Sequence, residues 1–493
     1  MNRDWNRKTI FILLLTGILF VFVSLSTQYY GHIDSAEYRS VAKYFAGEYS
    51  ADIRSSHSLS YGLINAPFVV VFGSILGMKI LNILLMSLII LSLYYISNKN
   101  KNVLILFVLS PLFWYSAPWI GPIQVSALLL LLGFSLLEKW DKDPRWDYLA
   151  GAGILVGLSW VFWNTILFIA IFLFASYFFD KKVHEAIGFI LFVLMGLLPL
   201  LIMDYIFYNF PFYSILKNLI GIITAFKYGS IYPGVNQVTN SILDLVSFIL
   251  LIPFFSVIFF KRKFALANKK FLVFISITIL FFLLNPQIRY LLIIWPILIL
   301  YLGKNLNKKQ YALQVAIFAI LSLIIINPYL IQIKYSTNSP DFTSLISNFG
   351  RWEILDKDVK AQIINDLNEI EKDYPNQTFV VGNKADDYII PALLYSGDNI
   401  KEFVSIQDYK LHYANESRLF EKRIVFNPNI NDRRRIWIGG GLEKAEDDTQ
   451  YDLIEYGLGI WEPLELDNFT LIKRYELIHI SKREKVKFIK AIE

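Results

Sequence analysis

Most of the first 334 residues read as apolar stretches, each about 15 to 23 residues long, separated by short polar breaks. A helix rises about 1.5 Å per residue, so roughly 20 apolar residues cross the hydrocarbon core of a bilayer. Backbone groups inside lipid have no water to pair with, so such stretches fold as helices, which satisfy their own hydrogen bonds. The composition agrees: 55% of the residues are hydrophobic and only 18% are charged, against roughly 25% in soluble domains. The expected fold is therefore an α-helical polytopic membrane protein. Spans fall near 9–27, 79–97, 103–117, 121–138, 149–163, 165–180, 186–207, 241–260, 271–285, 289–303 and 311–333. Gly62–Gly77 is apolar but short, and it contains Pro67 and Gly73. It is either a re-entrant or interfacial helix or a further span. The total is about 11–13 transmembrane helices.

Arg3, Arg7 and Lys8 precede the first span and place the N-terminus in the cytoplasm. Most other basic residues then fall in inner loops: Lys99 and Lys101, Lys139 to Arg145, Lys181 and Lys182, Lys261 to Lys270, and Lys304 to Lys309. The outer breaks are poorer in Lys and Arg. The formal net charge of +6 thus reports orientation, and no nucleic-acid partner is implied. The chain has no cysteine, which excludes disulfides and thiol catalysis. The first apolar stretch lacks a small-residue cleavage site after it and reads as a retained anchor.

The character changes after Tyr335, so residues 1–334 and 335–493 are expected to be separate domains. Asp356–Asp373 has helical periodicity. Thr378–Gly382 reads as a buried strand, with Asp386–Tyr395 as a helix after it. Arg423–Phe426 and Arg435–Ile438 read as further strands, and Thr470–Ile480 as a last strand or hairpin. The second domain is thus a small α/β unit. An odd number of crossings places it outside the cytoplasm. Asn-x-Ser/Thr sequons at Asn376, Asn415 and Asn468 agree with that side.

The first outer loop, residues 28–61, carries the most suggestive chemistry. Gly31-His32-Ile33-Asp34-Ser35-Ala36-Glu37-Tyr38 puts two carboxylates at the mouth of an apolar bundle. Desolvated acids in such a place need a partner or a task. Asp34 and Glu37 share a face if the segment is helical. Tyr38, Val41, Ala42 and Phe45 then form the apolar side of a helix lying on the membrane surface. Asp34 is either the N-cap of that helix or a base or metal ligand in a wet cavity. Arg289, between two spans in Asn285-Pro-Gln-Ile-Arg-Tyr290, has the planar fork that suits phosphate; the alternative is a snorkelling interfacial arginine. His57 is placed to hydrogen-bond a phosphate or a sugar, or is an ordinary loop histidine. Asp204 and Asp244 lie so near span ends that solvation alone can account for them. Arg145-Trp-Asp-Tyr148 and Gly439-Gly-Gly441 match fragments of known signatures in the wrong context. No P-loop, metalloprotease or serine-hydrolase motif is present.

In this order the motifs resemble the GT-C class of membrane glycosyltransferases, near the protein-mannosyltransferase and aminoarabinose-transferase families. Their first loop commonly runs Asp-Glu-x-x-Tyr, Ala, Gly, His-Pro-Pro-x-Tyr, then Phe-Gly. Here the series is Asp34-Ser35-Ala36-Glu37-Tyr38, Ala42, Gly47, His57-Ser-Leu-Ser-Tyr61 and Phe72-Gly73. Arg289-Tyr290-Leu-Leu with Pro296 is similar to a later Arg-Tyr-Leu-Leu-Pro stretch. Two positions depart: Ser35 stands where the usual residue is Glu, and Gln124 where many relatives have Asp.

The resemblance implies a GT-C-like bundle with a C-terminal extracytoplasmic α/β domain. It also implies sugar transfer from a polyprenyl- or dolichyl-phosphate donor, with inversion, to a glycan, lipid or protein acceptor at the outer face. Asp34 is then the general base, and Arg289 and Tyr290 meet the donor phosphate. Glu37, Tyr38, His57 and Tyr61 line the substrate, and loop 208–240 with Lys217, Lys227 and Tyr228 closes over the donor. No cofactor is required; a divalent metal, if one takes part, has Asp34 and Glu37 as ligands. Two other readings stay open at this stage: a transporter or flippase for lipid-linked sugars, and a non-catalytic scaffold presenting the outer domain.

Overall fold

The computed structural model describes residues 7–26, 38, 41–47, 52–53, 56–117, 120–180, 182–216, 219, 272–274, 276–277 and 288–331. Beyond these it describes residues 365, 369 and 372–373 and seven strands between 378 and 483. The expected span 241–260 and helix Asp386–Tyr395 lie outside the described residues.

The membrane part is helical. In chain order it comprises α1 (Arg7–Ser26), a two-residue strand β1 (Asp52–Ile53), α2 (Ser56–Phe72), α3 (Ser74–Ile96), α4 (Lys101–Val108) and α5 (Pro111–Tyr115). There follow α6 (Ile123–Trp140), α7 (Trp146–Phe162), α8 (Ile166–Phe179), α9 (Val183–Gly196) and α10 (Leu198–Tyr208). A 3₁₀ turn at Ile288–Ile293 leads into α11 (Trp295–Asn305), followed by α12 (Lys308–Ile331). Among the described residues, Leu76–Ile96 and Ile123–Trp140 are each long and apolar enough to cross a bilayer. Val183–Gly196 and Leu198–Phe207 are so together, bent by 41°, at a break next to Pro199.

The short stretch 62–77 belongs to two helices. Gly73, with φ of +79°, parts α2 from α3 in a backbone region that glycine enters without strain. Besides 186–207, two further expected spans are interrupted. Residues 103–117 form α4 and α5 because Ser110-Pro111 stops the first helix, proline having no N–H to continue it. The break is paired from afar: Trp295 Nε1 donates to Ser110 Oγ at 2.9 Å, and Ser322 Oγ donates to the Leu109 carbonyl at 2.8 Å. Residues 289–303 likewise begin as a 3₁₀ turn, and the α-helix starts only at Trp295-Pro296.

Small residues set the helix crossings. Gly153 and Gly157 on α7 are four apart and face α9; a Cβ on Gly157 would lie 2.8 Å from Gly196 Cα. Close backbone approach of this kind substitutes for the hydrophobic drive that lipid removes. Between α6 and α7, Ser126 and Ser159 lie hydroxyl to hydroxyl at 2.8 Å, and each also donates to the other's carbonyl.

The C-terminal strands are β2 (Thr378–Gly382), β3 (Phe403–Ile406), β4 (Ile424–Val425), β5 (Arg435–Ile438), β6 (Leu453–Leu458), β7 (Phe469–Arg474) and β8 (Ile478–Arg483). Six of them form one sheet in the order β3-β2-β5-β6-β8-β7. The first four of that order run parallel, and β8 and β7 continue antiparallel as a hairpin. β2 and β5 coincide with expected strands, and Thr470–Ile480 resolves into the hairpin. β4 stands apart from this sheet and pairs with β1.

Candidate functional site

Tyr38 is the first described residue after the acidic pair, and it is buried. The amphipathic reading holds: Val41 and Ala42 are fully buried, and residues 41–45 are helical. The Ala46 N–H donates to the Ala42 carbonyl at 2.9 Å, and the helix ends at Gly47, with φ of +84°. The helix crosses α2 at Gly62, where a Cβ would meet Val41 Cγ1 and lie 3.0 Å from the Ala42 nitrogen. The Tyr38 and Tyr61 rings meet edge to face, centroids 5.3 Å apart. Two of the expected substrate-binding tyrosines are thus packed together. Each is buried.

The Tyr61 hydroxyl is enclosed beside the Asn65 side chain and the Gly121 backbone. Asn65 Nδ2 donates to the Tyr61 carbonyl at 2.8 Å. From α3, Asn82 Nδ2 donates to the carbonyls of Ser116 and Ala117 at 2.9 and 3.2 Å. The turn between α5 and α6 therefore lies against polar groups from two helices. Gln124, one residue into α6, is fully buried. Arg289 and Tyr290 lie on the 3₁₀ turn, which packs against α5 and α6. His57 is in the first turn of α2. The α5–α6 corner is thus the common neighbour of α2 and the Arg289 turn. Asp34, Glu37, Lys227 and Tyr228 lie outside the described residues. Among the described residues no group of three or more His, Asp and Glu is placed to hold a metal ion.

Solvation does not account for Asp204. It is fully buried in α10 and accepts from Ser214 N at 2.8 Å and from Ser214 Oγ at 2.7 Å. The next side chain, Tyr213, packs with Val41 and Leu59, and Phe45 meets Phe207 edge to face at 6.2 Å. Asp204 therefore pins the first turn of loop 208–240 against the surface helix. Replacing Asp204 with Ala strands two donors, each worth about 1–3 kcal/mol when buried and unpaired. The expected result is a lower thermal midpoint in detergent, largely restored by Asn, which keeps one acceptor.

Sequence reasoning missed Lys79 and Asn82. Both are buried on α3, at 2% and 1% exposure, and they share a face three residues apart. The signal was available, since an ionisable residue inside an apolar helix is costly and usually functional. Arg145-Trp-Asp-Tyr148, in contrast, has a local account. Arg145 donates to Asp147 from Nε at 3.1 Å and from Nη2 at 2.8 Å, and it lies over the Tyr148 ring. That carboxylate raises the pKa of the exposed guanidinium.

No family model matches the chain, and no curated protein matches it. Solved structures do. ArnT from Cupriavidus metallidurans bound to undecaprenyl phosphate aligns with a TM-score of 0.56 at 11% identity, covering 97% of this chain and 98% of that one. The chain has the ArnT fold. The apo form of the same protein aligns over the same shares with a TM-score of 0.55. The α-helical polytopic architecture expected from hydropathy is borne out, and at 11% identity the comparison carries the fold alone.

Proposed function

We propose that this chain is an integral membrane glycosyltransferase. It moves a sugar from a polyprenyl- or dolichyl-phosphate donor to a hydroxyl-bearing acceptor at the extracytoplasmic face. The observation that carries the reading is the match, over 97% of the chain, to a fold captured with undecaprenyl phosphate. The order of first-loop motifs supports it independently.

In this reading Asp34 takes the proton from the acceptor hydroxyl. The acceptor oxygen bonds to the anomeric carbon from the face opposite the phosphate. The bond from that carbon to the phosphate oxygen breaks, and polyprenyl phosphate departs with the electron pair, so configuration inverts. Arg289, beside Tyr290, holds the phosphate and offsets the charge that grows on it. Tyr38 and Tyr61 back the sugar, with Glu37 and His57 on its hydroxyls. Lys227 and Tyr228, on loop 208–240, cover the donor and exclude water.

The test is an assay of the purified chain with radiolabelled prenyl-phosphate sugars and envelope acceptors. Label must leave the lipid and enter the acceptor. Label that crosses a vesicle bilayer while staying on the lipid would support a transporter instead. Within the same assay, Arg289→Lys keeps the charge but loses the fork. Losing one charge-assisted hydrogen bond costs about 1.5 kcal/mol, so the donor KM rises roughly tenfold with a smaller change in kcat. An unchanged KM would release Arg289 from the phosphate.

A further inference from the structure

The strand β1 interrupts the first outer loop between its two groups of candidate residues. Tyr38 and the acids lie before it, and His57 and Tyr61 follow it. Its partner comes from the far end of the chain. β1 runs antiparallel to β4, with Asp52 opposite Val425 and Ile53 opposite Ile424. β1 also lies next to α2 and β3. Among the described residues β4 pairs with β1 and not with the six-stranded sheet. A strand that pairs outside its own sheet does little for its domain's core. A two-stranded ribbon is barely stable alone, so this one forms only when both domains hold it.

We infer that the β1–β4 bridge is the device by which the C-terminal domain sets the geometry of the first outer loop, and that Ile424 and Val425 are positioning residues for transfer. The inference rests on the proposed activity but is testable apart from it. Main-chain pairing explains why neither partner carries a recognisable motif. It also explains how a domain bearing none of the candidate residues can govern them: a register fixed on one side of the loop limits where both of its halves lie. A misplacement of about 1 Å at reacting groups can cost about 10²-fold in rate.

The chain has no cysteine, so an introduced pair reports on this contact alone. Opposed Cα atoms of an antiparallel pair lie about 4.5–5.5 Å apart, within disulfide reach. Asp52→Cys with Val425→Cys should form a cystine under mild oxidation in membranes, seen as one linked peptide by mass spectrometry. Asp52→Cys with Ile424→Cys, slipped by one residue, puts its thiols on opposite faces and should not. Failure of the first pair, or equal linkage by both, overturns the bridge whether or not the chain transfers sugar.

Ile424→Pro and Val425→Pro each delete one backbone N–H, and one of the two falls on the hydrogen-bonded pair. That variant should lose at least tenfold in kcat with a smaller rise in donor KM, because Arg289, proposed to hold the donor phosphate, lies elsewhere. A cystine across the other register pair should restore kcat, and reductant should abolish the rescue. Full activity in both proline variants, or loss that the cystine leaves unrepaired, overturns the positioning role. A parent chain that links at 52–425 but transfers no sugar sinks the proposed function and leaves the bridge standing.

Discussion

Asp34→Asn should lower sugar transfer by a factor of about 10²–10⁴, the range a positioned general base supplies, and leave donor binding intact. The substitution keeps the size of the side chain and two of its hydrogen-bonding atoms, and removes its ability to take a proton. A base acts in the transition state, so kcat and kcat/KM should fall together. Ser35 sharpens the test. Where adjacent carboxylates occur, one can partly stand in for the other; here the next acid is Glu37, three residues on. Glu37→Gln should therefore cost less than Asp34→Asn and act on KM. The footing is firm, because Tyr38 is locked edge to face on Tyr61. Steady-state rates with a fixed labelled donor, beside direct donor binding to the purified variant, decide it. Transfer that survives Asp34→Asn removes the base assignment, while lost binding would make Asp34 a donor contact instead.

What the sequence made legible was whatever depends on neighbours along the chain. Hydropathy located α3 within a few residues, as Ser74–Ile96 against an expected 79–97, because a bilayer demands a long apolar run. The periodicity from Tyr38 to Phe45 gave the buried face of the surface helix, because one helix has one repeat. What stayed hidden depends on distant partners. Hydropathy passes straight through Ser110, whose break is stabilised by Trp295 and Ser322. Asp204 reads as a solvated span end because nothing in its surroundings in sequence announces Ser214 as a partner. The β1–β4 pair joins segments too short to carry any pattern. The same division runs through the candidate site. Tyr38 and Tyr61 were found through motif order, whereas the polar enclosure of the α5–α6 turn, with Asn65 and Asn82, needed the packing.

Gly62→Ala should reduce transfer by about 10²-fold, although Gly62 touches no substrate in the proposed mechanism. The surface helix approaches α2 closely at this point. A methyl there would meet Val41 Cγ1, 2.9 Å from Val41 Cβ and 3.0 Å from the Ala42 nitrogen. Backbone cannot step aside as a flexible side chain does, so the helix must lift. Overpacking of this kind costs about 1–3 kcal/mol, which a bundle this apolar can survive. The larger consequence is geometric. The lift is passed to Tyr38 and the acids immediately before it, and about 1 Å at a reacting group is worth about 10²-fold. Val41→Ala removes the nearest obstructing atom. On its own it empties part of a buried site and should lower stability by about 1–2 kcal/mol, as small aliphatic truncations do. In combination with Gly62→Ala it should recover part of the lost rate. A double-mutant cycle on kcat, with thermal midpoints taken alongside, separates the two effects. Rate losses that simply add would show that the surface helix does not set the position of Asp34.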